Sequence, residues 1–481
     1  MKHSLLIFIG LLFFGINANS QLSLTKFKNA VTSTTGSTNT QSSSLNSNSN
    51  SSTSNVNTSK TTPKFSAPGR EWYVSRTRGT GQLGTKEKPA KDLGNIIHHL
   101  KPNDIIYIAA GTYTSKGDRG ADEINVPVKI YGGYDDNFTT RDPWGAYKTI
   151  FTGVNEYMKS TDPRIYIRTD QQREDNGQLS EGSEIVVDGI IVDNGPRNRY
   201  HENKDLAIRR QASPPSGQNP APESGGIVIT PSKYTNITVK NCVVMNTAPT
   251  QGALSVRVHK GGKALIQNNF CINNTGNAIQ CLTGYMGSDP NEIPEIIVSQ
   301  NTTLFTWKHD AIASYGGNGC KLDQNLKVTL QNNVFGFGHM GGVYSQSTPL
   351  LMNNNLFTGN SKYDLKERNT MMNVNEILDE SVNLDQNSEG NESAVIKINV
   401  DPRWANIYGS RKEISRADVD AAATASNSGA NQLRSMLGLN LQGNSVGMDA
   451  EVFLPKITIE EGLPAGLLPW NGKGCQKPTF K

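Results

Sequence analysis

Val239-Lys240-Asn241-Cys242-Val243-Val244 is restated as Ile266-Gln267-Asn268-Asn269-Phe270-Cys271 and again as Leu330-Gln331-Asn332-Asn333-Val334-Phe335. Val298-Ser299-Gln300 belongs to the same series, Val187-Asp188-Gly189 opens it and Met352-Asn353-Asn354 closes it. Each segment alternates apolar with polar residues, passes through Asn, Asp or Gly, and resumes apolar. With Asn241, Asn268, Gln300, Asn332 and Asn353 as equivalent points, the unit is 21 to 32 residues long. A period of that size, with only short strands in each unit, predicts a solenoid. The units are too strand-rich and helix-poor for ankyrin or tetratricopeptide arrays, so one turn of β-coil per repeat fits best.

A second strand follows each bend: Gly226-Ile227-Val228-Ile229, Ala253-Leu254-Ser255-Val256, Ala278-Ile279-Gln280-Cys281, Ala311-Ile312-Ala313-Ser314 and Gly342-Val343-Tyr344-Ser345. Side chains alternate between faces along a strand, so Ile227, Leu254, Ile279, Ile312 and Val343 are expected to form one inward column. Asn at the bend tolerates a left-handed backbone, and its amide can bond to the Asn of the next coil.

These coils resemble the right-handed parallel β-helix proteins of the pectin-lyase-like superfamily. Upstream, Trp72-Tyr73-Val74-Ser75 and Asp104-Ile105-Ile106-Tyr107-Ile108-Ala109-Ala110-Gly111-Thr112-Tyr113 look like the opening segment of secreted bacterial β-helix-repeat proteins. So do Ile130-Tyr131-Gly132-Gly133-Tyr134, Arg141-Asp142-Pro143 and Thr149-Ile150-Phe151-Thr152-Gly153. The resemblance covers about Trp72 to Phe357. It implies an all-β fold, a right-handed parallel β-helix, and leaves the activity to be argued from the site.

The expected organisation is a secretory signal over 1–20, a polar tether over 21–65, the β-helix over 66–365 and a C-terminal extension over 366–481. Lys2 and His3 precede an apolar stretch from Leu5 to Ile16, with Ala18-Asn19-Ser20 before the expected cut. That stretch is too short to span a bilayer, so the expected location is secreted or extracytoplasmic, with no transmembrane segment after the signal. Ala30 to Pro63 is nearly all Ser, Thr and Asn, and cannot bury enough apolar surface to offset its chain entropy. The 47 basic and 43 acidic residues are interspersed, which argues against a nucleic-acid surface. The five cysteines, 242, 271, 281, 320 and 475, contain no CxxC pair, so core packing is their simplest role and one disulfide stays open. Leu93, Ile96, Ile97 and Leu100 have the spacing of an amphipathic helix, which would cover the exposed end of the first coil. Beyond Leu365, Ala417 to Ala425 and Gln432 to Leu439 suggest short helices, and the tail from Val446 to Lys481 is free to fold back along the stack.

Two constellations carry chemistry. His309-Asp310, with His339 about one coil later, resembles the paired Asp and Gly-His-Gly of polygalacturonase-type hydrolases. However, His309 stands where the first Asp belongs and Met340 breaks the second motif. Only Asp310 lies on the aligned strands, and glycoside hydrolysis normally uses two carboxyl groups, so hydrolysis is disfavoured. The second constellation is Arg257, His259 and Lys260, with Tyr315 and Tyr344 on nearby coils. A polysaccharide lyase needs a base for the C5 proton of a uronic acid and a cation for its carboxylate, and these residue types can supply both. The Lys-Arg-His order of chondroitinase-B-like lyases is not matched. No acidic cluster marks a calcium cage, although calcium would serve the same neutralising purpose. The rival view of Arg257 and its neighbours is a solvated basic strand end, and that of His309 and His339 is packing.

The expected site therefore lies on the outer face of the aligned strands. Arg257, His259, Lys260, His309, Asp310 and Tyr315 are the candidate catalytic groups. Ser255, Gln280, Tyr344, Gln346 and His339 are the candidate substrate contacts, and Gly195 to Ser224 is a candidate wall. The expected ligand is an anionic polysaccharide or cell-surface glycan, cleaved by β-elimination if the protein is an enzyme. The alternative is a non-catalytic extracellular binding protein.

Overall fold

The computed structural model describes residues 68–480 except 82, 115–120, 153–162, 171–181, 195–224, 248–251, 308–315, 347–348, 395, 397, 399–456 and 469. The expected signal, the tether, the 195–224 insertion and the helices over 417–425 and 432–439 lie outside the described residues.

The chain winds through three nine-stranded sheets, here called A, B and C in the order each coil visits them. One coil runs Asn236–Lys240 in A, Val243–Met245 in B and Gly252–Val258 in C, and then re-enters A at Lys263–Gln267. Neighbouring coils pair in parallel in all three sheets, for example Val239 beside Ile266 and Ile266 beside Val298. This is a right-handed parallel β-helix. Inward positions alternate along each strand, and Val187, Val239, Ile266, Val298 and Leu330 are all fully buried in one axial core.

The bend from A to B explains the Asn content. Asn241, Asn268, Gln300, Asn332 and Asn354 take φ of 54–55°, a left-handed backbone that Asn accepts at low cost. Asn354 is therefore the equivalent point in the last unit, and Asn353 is a strand residue paired with Gln331. The next residue turns inward and builds a ladder. Asn269 donates to Asn301 (2.9 Å), Asn301 to Asn333 (3.0 Å), Asn333 to Asn355 (2.9 Å) and Asn355 to Asn391 (2.9 Å). Each carboxamide oxygen also accepts the backbone N–H of the preceding ladder residue, and each amide donates to a strand carbonyl one coil back. Interior polar groups that would otherwise be orphaned are thus paired on each of these coils. At the B-to-C bend, Asn273 bonds Asn246 and Asn246 bonds Asp193. On the next two coils, Phe305 and Phe337 occupy the same left-handed position, with rings stacked 4.9 Å apart.

Sheet C corrects one alignment. The strand between Asn277–Thr283 and Gly341–Ser345 is Asn318–Leu322, not Ala311–Ser314. The inward column is therefore Ile227, Leu254, Ile279, Cys320 and Val343, with Cys320 in place of Ile312. Both stretches alternate acceptably. What selects the later one is the buried amide of Asn318, which donates to Asn277 at 2.9 Å. His309, Asp310 and Tyr315 fall outside the described residues.

The N-terminal cover is two 3-10 turns, Leu93–Asn95 and Ile97–His99, rather than one amphipathic helix. Gly94 and the β-branched pair Ile96-Ile97 weaken an α-helix over so short a span. The turns still bury Leu93, Ile96 and Leu100 against the first coils. At the other end, Thr370–Met372 pairs antiparallel with Tyr363–Glu367, and the last parallel strand is Glu392–Ser393.

The tail returns along the outside of sheet B. The helix Ile459–Gly466, opened by a Thr458–Glu461 capping box, packs with Trp470 and Cys475 over Phe270, Ile272, Leu304 and Val334. The following residues cross the coils in turn: Gly474 N–H donates to Asn332, Cys475 to Thr302 and Gln476 to Asn268. All five cysteines are buried free thiols. Burial pushes Cys242 and Cys475 up to about 12, which makes them packing groups rather than nucleophiles.

Replacing Asn301 with Leu removes one ladder step and orphans the N–H of Asn269 and the carbonyl of Ile266. It is expected to cost about 3 kcal/mol, read as a lower urea midpoint with an unchanged m-value.

Candidate functional site

Sheet C presents its outer face because its strands alternate strictly. Leu254, Val256 and Val258 point to the core, and Ser255 and Arg257 point away from it. Parallel register then stacks outward residues from distant stretches of chain. Tyr166, Val228, Ser255 and Gln280 stand side by side, and Lys321, Tyr344 and Lys366 continue the row. Two residues further along each strand run Arg168, Thr230, Arg257 and Leu282, with Asp323 and Gln346 on later coils.

A groove of about 340 Å³ lies over this face between Arg168 and Leu282. Tyr166, Arg168, Asp170, Ser255, Arg257 and His259 line it. Arg168 Nε is 3.5 Å from Asp170, and its guanidinium is 5.8 Å from the centre of the Tyr166 ring. Arg257 donates from Nη1 to the carbonyl of Thr283 at 3.2 Å, which leans the side chain across the neighbouring coil.

His259 is half-buried at the end of the same strand. Its pKa is lowered from the usual 6.5, first by burial and then by the positive charges of Arg257 and Lys233, with Asp170 opposing them. The imidazole is therefore biased toward its neutral, proton-accepting form. Gly284 makes room for it: a Cβ there would come within 2.4 Å of the ring. Lys260 is placed differently. It sits in the turn, half-exposed and ion-paired with Glu292 at 2.7 Å, and that partner raises its pKa, the wrong direction for a base.

Asp323 adds a carboxyl on the same face. Burial raises its pKa, against the pull of Lys321 and Arg257, and Lys321 Nζ lies 3.9 Å away. Tyr344 accepts a bond from Gln346 at 2.9 Å, and Lys366 lies 5.1 Å over its ring, so part of the ring face is already covered. Gln280 is 3% exposed within the row, and Asn277 donates to its side chain. His339 is buried at the B-to-C bend rather than on the outer face, and its N–H bonds to Thr306.

The structure thus brings Ser255, Arg257 and His259 together and leaves Lys260 and His339 apart. Four groups escaped the sequence reading. Arg168 and Asp170 follow an alternating Ile165-Tyr166-Ile167-Arg168 that precedes the first unit counted. Lys321 and Asp323 were hidden by the eight-residue shift between Ile312 and Cys320, although Gly276-Asn277-Ala278 and Gly317-Asn318-Gly319 signal the true alignment. Among the described residues, no group of three or more His, Cys, Asp or Glu is placed to hold a metal ion, and no helix is long and apolar enough to cross a membrane.

No family model and no curated protein sequence matches this chain. Among solved structures, a rhamnogalacturonan lyase aligns with a TM-score of 0.29 at 10% identity, over 69% of this chain and 65% of that one. A pectate lyase, Pel9A, aligns with a TM-score of 0.28 at 11% identity, over 79% of this chain and 90% of that one. The chain thus spans slightly less than two thirds of the rhamnogalacturonan lyase. The class of the fold stands on the three parallel sheets themselves, and the function has to be built from the groove.

His259 should titrate below the ordinary histidine range in an NMR pH series. Removing a positive neighbour favours the protonated ring, so Arg257→Gln should move that transition to higher pH. A His259 transition unmoved by the substitution would place the two groups out of contact. Gly284→Ala should displace the ring, seen as a shifted imidazole resonance with the far-ultraviolet dichroism intact.

Proposed function

We propose that the protein binds an anionic polysaccharide along the outer face of sheet C and cleaves it by β-elimination. The supporting observation is the pairing of a proton-accepting His259 with Arg257 in a groove that also holds Arg168. Arg257 neutralises the carboxylate of a uronic acid, which acidifies the adjacent C5–H. His259 takes that proton, the C4–O4 bond breaks, and its electrons leave with the departing oxygen as C4=C5 forms. The oxygen needs a proton in return. Asp323, whose raised pKa keeps its carboxyl protonated to higher pH than an ordinary aspartate, is the acid nearest in kind on that face. Lys260, with its pKa raised by Glu292, has no part in this scheme.

A binding protein without turnover is the second reading. It is favoured by the openness of the groove and by the arginines already leaning on Asp170 and Thr283.

The purified full chain should release ultraviolet-absorbing unsaturated uronate from at least one uronic-acid polymer. His259→Gln should lower turnover by about 10³-fold and Arg257→Ala by about 10²-fold, both without loss of fold. The rate should rise with pH through an ionisation below the usual 6.5, because the base must be unprotonated. Retention on an anionic glycan column with no unsaturated product from any uronate polymer would select the binding reading.

A further inference from the structure

The outward cations of sheet C are spaced with a period of two coils. Seven consecutive strands stack between Ile165–Arg168 and Tyr363–Glu367. Arg168 is on the first, Arg257 on the third (Gly252–Val258), Lys321 on the fifth (Asn318–Leu322) and Lys366 on the seventh. The strands between them, Ile227–Thr230, Asn277–Thr283 and Gly341–Ser345, contain no charged residue at all. Their outward groups are uncharged: Val228, Thr230 and Tyr344 are partly exposed and offer hydrogen bonds and apolar contact, and Gln280 and Leu282 lie nearly buried between them.

Parallel strands lie ~4.8 Å apart, so the positive charges recur about every 9.6 Å along the stack. A pyranose in an extended chain advances by about one strand spacing, so a disaccharide spans about one cation-to-cation step. Each cation is also held by a neighbour: Arg168 by Asp170, Arg257 by the Thr283 carbonyl, Lys321 by Asp323 and Lys366 by the Tyr344 ring. The row steps sideways by one outward position between Arg257 and Lys321, a shift the longer lysine side chains can take up.

We propose that this face reads a polyanion charged on every second sugar, an alternating copolymer of an acidic and a neutral sugar, in preference to a homopolymer of uronic acid. The inference rests on the anionic-glycan reading above and specifies its substrate class. A homopolyuronate would set every other carboxylate against an uncharged rung, where Leu282 or Val228 would desolvate it without a partner. An alternating chain puts its neutral sugars there.

Binding of the full chain is measured on hyaluronan, unsulfated chondroitin and a galacturonate–rhamnose backbone, and compared with polygalacturonate and polymannuronate. At least one alternating polymer should bind about tenfold or more tightly than both homopolymers. That order reverses the one expected from charge density alone. Equal or tighter binding of a homopolymer overturns the inference and leaves the anionic-glycan reading intact; no binding to any uronate polymer removes both. Thr230→Lys adds a cation to an uncharged rung at a half-exposed position between Arg168 and Arg257. It should shift the preference toward polygalacturonate, and an unchanged preference counts against the proposal. Lys321→Gln should weaken the preferred alternating polymer and leave the fold unaltered by circular dichroism; full retention of affinity would also overturn it.

Discussion

Winding a chain into stacked coils forces a tight bend into every turn of the core, and each bend carries backbone groups that water cannot reach. The Asn269–Asn301–Asn333–Asn355–Asn391 ladder meets this constraint. Each carboxamide accepts from one coil, donates to another and bonds the next ladder member, so the bends that Asn269, Asn301, Asn333 and Asn355 follow are paired. The residue just before each ladder Asn is left-handed, which limits the choice to residues that tolerate positive φ. Both demands repeat on every coil, and this accounts for the abundance of paired Asn in the sequence. If the ladder slipped by one residue, each strand would turn its apolar face outward.

The register that the ladder maintains also makes the groove. Arg168, Arg257 and Asp323 come from three coils and are far apart in sequence, yet parallel pairing lines them up on one face. The electrostatics of His259 is a product of that stacking. Burial and the charge on Arg257 bias it toward the neutral form, Asp170 from two coils earlier opposes them, and Gly284 from the next coil leaves space for the ring. Arg168 and Arg257 sit on strands, whereas Asp170, His259 and Gly284 lie just past strand ends.

The remaining faces are committed differently. The outside of sheet B is covered by the C-terminal helix and the strap that follows it, which bury Phe270, Leu304 and Val334. On sheet A, Tyr73, Tyr107 and Tyr131 stack on one another at 5.2 and 6.0 Å, so their ring faces cover each other. Sheet C keeps Arg168, Arg257, Lys321, Tyr344 and Lys366 partly exposed on its outer side, with Ser255 and Gln280 buried between them. The thiols, including neighbouring Cys281 and Cys320, fill core space as small apolar groups.

The coil, its parallel stacking and four of the five members of the inward column of sheet C were legible in the sequence, because a one-residue bend with a fixed partner leaves a periodic Asn signature. Arg257 and His259 were legible as a basic strand end for the same reason. What the sequence left undecided was alignment across the variable bends. Ala311-Ile312 and Cys320-Lys321 satisfy the same alternation, and it is Asn318–Leu322 that pairs, with Asn318 bonded to Asn277 and Tyr363. The positions of Lys321 and Asp323 on the outer face, the pairing of Lys260 with Glu292, the burial of His339 and the return of the tail over sheet B were likewise settled by tertiary structure. Local pattern specifies which face a side chain takes, whereas neighbours on other coils depend on how many residues each bend absorbs.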